Sequence, residues 1–184
     1  MITLVFGRRA GLFAAEACKE LGLPAVPQAA VRESFGRATD LVEKGAGTKP
    51  SEVKARVQAT MRKHSWVIKE EEKLRAGLEE IREIGDIQRA SAAQSTFRAR
   101  PRDGNVWAAA LQVPSLLLCS KMMLEGSLMR KESRGAFFRR EFPDTDNEGW
   151  LKNITYKQVD GELVLDAVPV DLKYCGPADP TRAK

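Results

Sequence analysis

Histidine occurs once in the 184 residues, as His64, and cysteine three times, as Cys18, Cys119 and Cys175. No two cysteines share a C-x-x-C spacing, so neither a zinc site nor a disulfide framework is indicated, and no metal ligands are assigned. The three thiols read as buried, inert groups in a reducing compartment. A lone histidine with no nucleophile at a suitable spacing also gives no support to triad chemistry. No catalytic residue is assigned, and His64 is expected in a structural role at a helix end or between helices.

Long apolar runs are missing too. The longest, Val106–Leu111, is far short of the ~18–20 residues that cross a bilayer. The N-terminal apolar stretch is interrupted by Arg8 and Arg9, unlike a signal peptide. A soluble chain without direct membrane insertion is expected. Aromatics are only 7%, so any core must rest on aliphatic side chains. Hydrophobic residues at 43% and charged residues at 30% suit a packed core rather than disorder. The length fits one ordinary domain with a small appendage.

The net charge of +5 raises the question of nucleic acid, which clustered cations bind through counterion release. Here the cations alternate with acids, as in Lys69-Glu70-Glu71-Glu72-Lys73, and no nucleic-acid motif is present. No nucleic-acid partner is expected.

Residues 2–21 read as a helix that is apolar nearly all round, with Leu4, Phe6, Leu12 and Phe13 among small residues Ala10, Ala14, Ala15 and Ala17. Such a helix is normally covered on several sides. Gly22 would cap it, and Pro24 and Pro27 would end it. Nothing else in the first fifty residues can cover it, so a neighbour is expected to be missing. A weaker helix over 28–44 places Val31, Phe35, Ala38 and Leu41 or Val42 on one face. Gly45-Ala46-Gly47 lacks the third glycine of a dinucleotide loop and follows no strand, so it reads as a linker.

Ser51 is the expected N-cap of the next helix. Val53, Val57 and Met61 recur at helical spacing, a break falls near His64-Ser65-Trp66, and Leu74, Leu78 and Ile81 continue the stripe. The stretch Ala90–Ala93 is open between helix and long connection. Asp103-Gly104-Asn105 starts a helix from Val106 to about Lys131, with Trp107, Leu111, Leu117, Leu124 and Leu128 inside. Pro114 should kink it or mark a break near Val113. Beyond Phe137, the segments 154–158 and 162–166 alternate with period two around Asp160-Gly161, a hairpin signal.

The expected fold is mainly α: an antiparallel, spectrin-repeat-like three-helix bundle over 51–134. A leading helix over 1–22 and a linker with a short helix over 23–50 precede it. A loop, a β-hairpin and a frayed tail over 135–184 follow.

The most specific stretch runs from Arg130-Lys131-Glu132-Ser133-Arg134-Gly135-Ala136-Phe137 through Phe142-Pro143-Asp144-Thr145-Asp146 to Trp150-Leu151-Lys152-Asn153. It resembles the signature near the C-terminus of succinate dehydrogenase and fumarate reductase flavoproteins. Leu4-Val5-Phe6-Gly7-Arg8-Arg9-Ala10-Gly11 looks like the family helix that closes the FAD-binding domain. Val57–Met61 and Glu71–Leu78 resemble its first bundle helices more weakly. Aspartate oxidases share the front helix but usually lack the Glu-Ser-Arg-Gly segment with its acidic turn, and rank second. Two departures stand out: Phe137 and Asn153 occupy positions where family members often carry histidine, which titrates and exchanges hydrogen bonds.

The resemblance implies that FAD and the dicarboxylate-binding residues belong upstream, since the family's substrate arginine and flavin-contact segment lie just before the front helix. The chain is then expected to be one piece of a longer or split protein, to hold no cofactor-binding residue and to be inactive alone. Its implied partners are the FAD-binding domain of the same flavoprotein and an iron–sulfur subunit. Its implied location is cytoplasmic, peripheral on the inner face of the membrane through partner subunits. Glu132, Arg134 and Arg139 are candidates for bracing the bundle against the flavin domain through charge-assisted hydrogen bonds. The competing reading is a helix C-terminus whose basic residues complement the dipole, with Gly135 as cap. A stand-alone helical interaction module derived from the family is the alternative function.

Overall fold

The structure, a computed structural model, describes residues 2–21, 25–43, 48–92, 104–160 and 162–171. Asp103, Gly161, Cys175, the Gly45–Gly47 linker and the C-terminal tail lie outside these, as does the side chain of Trp107. The described residues are mainly helical, with five helices and two small sheets.

The chain divides into two compact units, Met1–Thr39 and Asp40–Lys184. The first contains α1 (Ile2–Glu20) and most of α2 (Gln28–Glu43). In α1, Leu4, Phe6, Leu12 and Phe13 are all more than half exposed, as expected for an apolar helix without a full set of neighbours.

The second unit is built on α3 (Pro50–His64), α4 (Glu71–Ala92) and α5 (Gly104–Met129), each packed on the other two. The helical stripes expected from spacing form the core: Val53 and Val57 of α3, with Leu74, Leu78, Ile81 and Ile84 of α4, meet Val113 and Leu124 of α5. Two local expectations are corrected and one is narrowed. The N-cap of α3 is Lys49 rather than Ser51, because Pro50 takes the first helical turn, where its missing N–H costs nothing. Of the two outcomes expected at Pro114, a kink or a break near Val113, the break is excluded, since α5 runs through Pro114. Leu111 is 46% exposed, because the buried stripe of α5 passes instead through Ala110, Val113, Ser120 and Leu124.

Two glycines set close approaches. A Cβ at Gly77 would lie 2.7 Å from the Cβ of His64, where α3 and α4 meet. A Cβ at Gly126 of α5 would collide with the hydroxyl of Tyr156. Tyr156 belongs to the hairpin of β3 (Lys152–Val159) and β4 (Glu162–Pro169), which pair antiparallel in the register Tyr156↔Leu165. Its hydroxyl donates to the Met122 carbonyl at 2.6 Å and pins the hairpin to α5. At the turn, Asp160 has φ +52°, the left-handed conformation that Asp tolerates. A small parallel pair joins β1 (Ile68–Lys69), in the connection from α3 to α4, with β2 (Phe138–Arg139), which follows α5. Those two strands were not legible in the sequence.

Candidate functional site: a buried arginine–glutamate clamp

The side chains singled out in the sequence converge around the C-terminal end of α5. Glu132 is fully buried. Its Oε1 accepts from Arg134 Nε at 2.9 Å and from Arg130 Nη1, and its Oε2 accepts from Arg134 Nη2 at 2.9 Å and the Asp146 N–H at 3.0 Å. Burial alone would push this carboxyl up, but the Arg134 and Asp146 hydrogen bonds, then the Arg134 charge and Arg130, outweigh it and hold it below the usual carboxylate range. The two-pronged Arg134–Glu132 contact is the geometry that guanidinium and carboxylate favour. Arg134 also donates to Asn147 Oδ1 at 2.9 Å, so the acidic turn is tied to the same pair.

Arg130, which sequence reasoning did not single out, is the third arm. Its Nη2 donates to the Lys152 carbonyl at 2.8 Å, and its guanidinium lies 5.5 Å from the centre of the Trp150 ring. It thereby fixes the entry to β3. Its place in the Arg-Lys-Glu-Ser-Arg-Gly run was visible, but nothing in the spacing separates it from the exposed Lys131.

Arg139 is also fully buried. Its Nη1 donates to the carbonyls of Ser127, Leu128 and Arg130, at 3.4 Å for Leu128 and 3.2 Å for Arg130. These belong to the end of α5, where helix carbonyls lack intrahelical partners and the dipole is negative. The cap expected at Gly135 is thus supplied by an arginine further along the chain. Gly135, at φ +57°, instead makes the tight turn in which Arg134 and Phe137 exchange backbone hydrogen bonds of 2.9 and 3.0 Å.

The same guanidinium reaches the opposite end of another helix. Arg139 Nε donates to Glu141 Oε2 at 3.0 Å, and Glu141 Oε1 accepts the Glu71 N–H at 2.7 Å, at the start of α4. Burial opposes ionisation of Glu141, yet the Glu71 N–H first, then Glu141's own N–H and Arg139, keep its carboxyl below the ordinary range. One Arg139–Glu141 pair therefore links the negative end of α5 to the positive end of α4. Ser133 completes the clamp, its hydroxyl donating to the Phe142 carbonyl at 2.7 Å and accepting the Arg139 N–H at 2.9 Å.

Of the two histidine-position departures, Phe137 lies under the Lys69 ammonium, 5.1 Å from its ring centre, and Asn153 is an exposed residue of β3. His64 ends α3, is buried, and faces Glu80 Oε1 of α4 at 2.8 Å. It is both a helix-end and an interhelical residue. Cys18 and Cys119 are exposed, contrary to the expected buried thiols; Cys119 lies on the α5 face turned away from Leu124.

The clamp is a rigid fastening, with every guanidinium contact described above made inside the unit. No group of metal ligands occurs among the described residues, and no described helix is long and apolar enough to cross a membrane. The only parallel strand pair among the described residues is two residues long and carries no glycine loop into a helix. The described residues therefore do not fit an FAD dinucleotide, and no hydride-transfer step is assigned to them.

The described residues thus form a mainly helical module, closed by a short ribbon and fastened by ion pairs on two fully buried side chains, Glu132 and Arg139. Residues 54–183 match the family described as fumarate reductase flavoprotein C-term, and the chain belongs to that family. It is 30% identical over 180 residues to the succinate dehydrogenase flavoprotein subunit of Rickettsia conorii, covering 92% of this chain and 28% of that protein. It is 29% identical to the fumarate reductase flavoprotein subunit of Mycobacterium tuberculosis, covering 96% and 31%. A chain of the Mycobacterium smegmatis Sdh1 complex in the apo form superposes with a TM-score of 0.78 at 26% identity, over 90% of this chain and 28% of that one. The chain thus spans less than a third of the length of these relatives.

Proposed function

We propose that this chain is the C-terminal part of an FAD-dependent oxidoreductase of the succinate dehydrogenase/fumarate reductase type. In this reading α3, α4 and α5 form an antiparallel, spectrin-repeat-like bundle that buttresses the FAD-carrying part of the flavoprotein. The segment 1–22 is the closing helix of the FAD-binding domain, 23–50 a linker, 51–134 the bundle and 135–184 the closing ribbon and tail. FAD binding and hydride transfer reside outside these residues, and the chain alone is inactive. An iron–sulfur subunit is a partner of the assembled flavoprotein, which sits on the inner face of the membrane through other subunits.

The observation that carries this reading is the clamp. Glu132, Arg134 and Arg139 all fall in the segment that carries the family resemblance; Glu132 and Arg139 are fully buried, and Arg134, partly exposed, grips Glu132 from the rim. They brace the flavin part by holding the bundle and ribbon rigid, rather than by reaching across to it. The aspartate oxidase and stand-alone-module alternatives are not favoured, since the relatives that match are succinate dehydrogenase and fumarate reductase flavoproteins.

The test is reconstitution. The chain purified alone should be colourless, and the chain purified from cells producing the complete flavoprotein should carry flavin and oxidise succinate or reduce fumarate. Stoichiometric flavin on the isolated chain, or absence of flavin from the complete protein, contradicts the proposal.

A further inference from the structure

Between α3 and α5 runs a groove of about 440 Å³ to which the clamp contributes no residue. Val57 and Ser120 are its buried members, and the Met61 and Met123 thioethers and the exposed Trp66 ring line it further out. A volume within the ~300–1,000 Å³ of small-molecule sites, mostly apolar walls and a few polar groups are the features of a ligand pocket. Thioethers and an indole together favour an aromatic ring, through sulfur–aromatic contact and stacking.

The polar groups decide the class of ligand. Arg62 is the only charged residue lining the groove among the described residues. Its helix neighbours three and four positions away are Gln58, Ala59, Ser65 and Trp66. None is acidic, so no helical ion pair engages the guanidinium. Ser65 ends α3, and its hydroxyl is buried without a hydrogen-bond partner, which costs free energy until a partner meets it. Arg62 and Ser65 are three positions apart, on one side of α3, so a single carboxylate can accept from both. The guanidinium also offsets the negative end of the helix, which would otherwise repel an anion. The other grooves lack this unbalanced cation. Between α4 and α5, Arg82 and Arg89 pair with Glu79 and Asp86, and the groove between α3 and α4 holds Glu80 and Glu83 beside its cations.

We infer that the α3–α5 groove is a binding site for a small aromatic monocarboxylate, its ring against Trp66 and the two thioethers and its carboxylate on Arg62 and Ser65. The site lies wholly within the second unit and does not depend on the function proposed above. An acidic segment of a neighbouring protein is the rival occupant.

Cys119, exposed in the same groove, reports occupancy, and Cys18, exposed on the apolar α1, is the control within the same chain. The full chain is alkylated with iodoacetamide, and each thiol is followed by peptide mass, with 2-naphthoate or the neutral 2-naphthylmethanol present. 2-Naphthoate should slow alkylation at Cys119 and leave Cys18 unchanged. The alcohol should need about fivefold more for the same protection, the scale of one solvent-facing ion pair. Arg62→Gln should abolish that difference with melting temperature unchanged. No slowing at Cys119, equal slowing at both thiols, equal potency of acid and alcohol, or a preference for the acid that survives in Arg62→Gln overturns the site. A Cys119 already unreactive in the complete flavoprotein, with no carboxylate added, assigns the groove to a protein surface and overturns it as well.

Discussion

Glu132 is fully buried and faces two guanidiniums, Arg130 16% and Arg134 37% exposed, so its charge matters more than its shape. Glu132→Gln keeps the volume and one acceptor but leaves Arg130 and Arg134 without their counter-charge. Breaking a buried pair from one side costs about 3–5 kcal/mol, and urea denaturation should show a loss of that order; a loss within experimental error would mean the clamp contributes nothing. A second residue-scale expectation concerns Glu80. The Lys63 hydrogen bond first, then that of His64, hold its carboxyl down to about 2 from 4.5, against desolvation. A depressed folded-state value contributes stability above the unfolded value that is lost as pH falls. Melting temperature should therefore drop between pH 4.5 and 2, and Glu80→Gln should flatten that drop. The Glu80 side chain is 37% exposed, so screening limits its share to about 1 kcal/mol. At this scale the sequence singled out Glu132, Arg134 and Arg139 but not what they touch. Besides Glu141, the partners of Arg139 are the carbonyls of residues 127, 128 and 130, and main-chain carbonyls carry no residue-type signal.

Between elements, contacts at glycine set the spacing. Gly77→Ala would place a methyl 2.7 Å from the His64 Cβ, and both atoms are fixed to backbone. The ~1 kcal/mol that alanine gains over glycine in a helix should be outweighed by overpacking of about 1–3 kcal/mol. At Gly36 of α2 an added methyl would meet nothing within 4 Å, so Gly36→Ala should be neutral or raise the melting temperature. Opposite signs for the two variants in one thermal scan check this; equal signs contradict it. Gly126→Ala should lift the hairpin from α5, and adding Tyr156→Phe, which removes the colliding hydroxyl, should recover part of the loss. The helices were legible because Val53, Val57, Leu74, Leu78 and Ile81 repeat at helical spacing, and the hairpin because Asp160-Gly161 sits between alternating segments. The β1–β2 pair was not, since two residues hold no period and their partners are about seventy positions apart in the chain. Leu111 misled because α5 is apolar on most of its circumference, so the pattern did not say which face turns inward.

At the scale of the whole molecule, the proposed function makes the chain a fastening for the flavin-carrying part. The second unit has a core, a ribbon and a clamp, while α1 keeps its apolar side chains exposed. That contrast was legible early, because a helix apolar all round demands neighbours that the first fifty residues do not supply. The family relationship was legible as well, because the ordered run from Arg130 to Asn153 is long. The measurement that tests the account most directly is flavin retention by the complete flavoprotein carrying Glu132→Gln. If these residues hold the buttress in shape, the variant should lose flavin at a lower temperature than wild type while its affinity at low temperature is unchanged. Flavin release at the wild-type temperature, from a protein whose helical region has already melted, would contradict the claim that this module braces the flavin-carrying part.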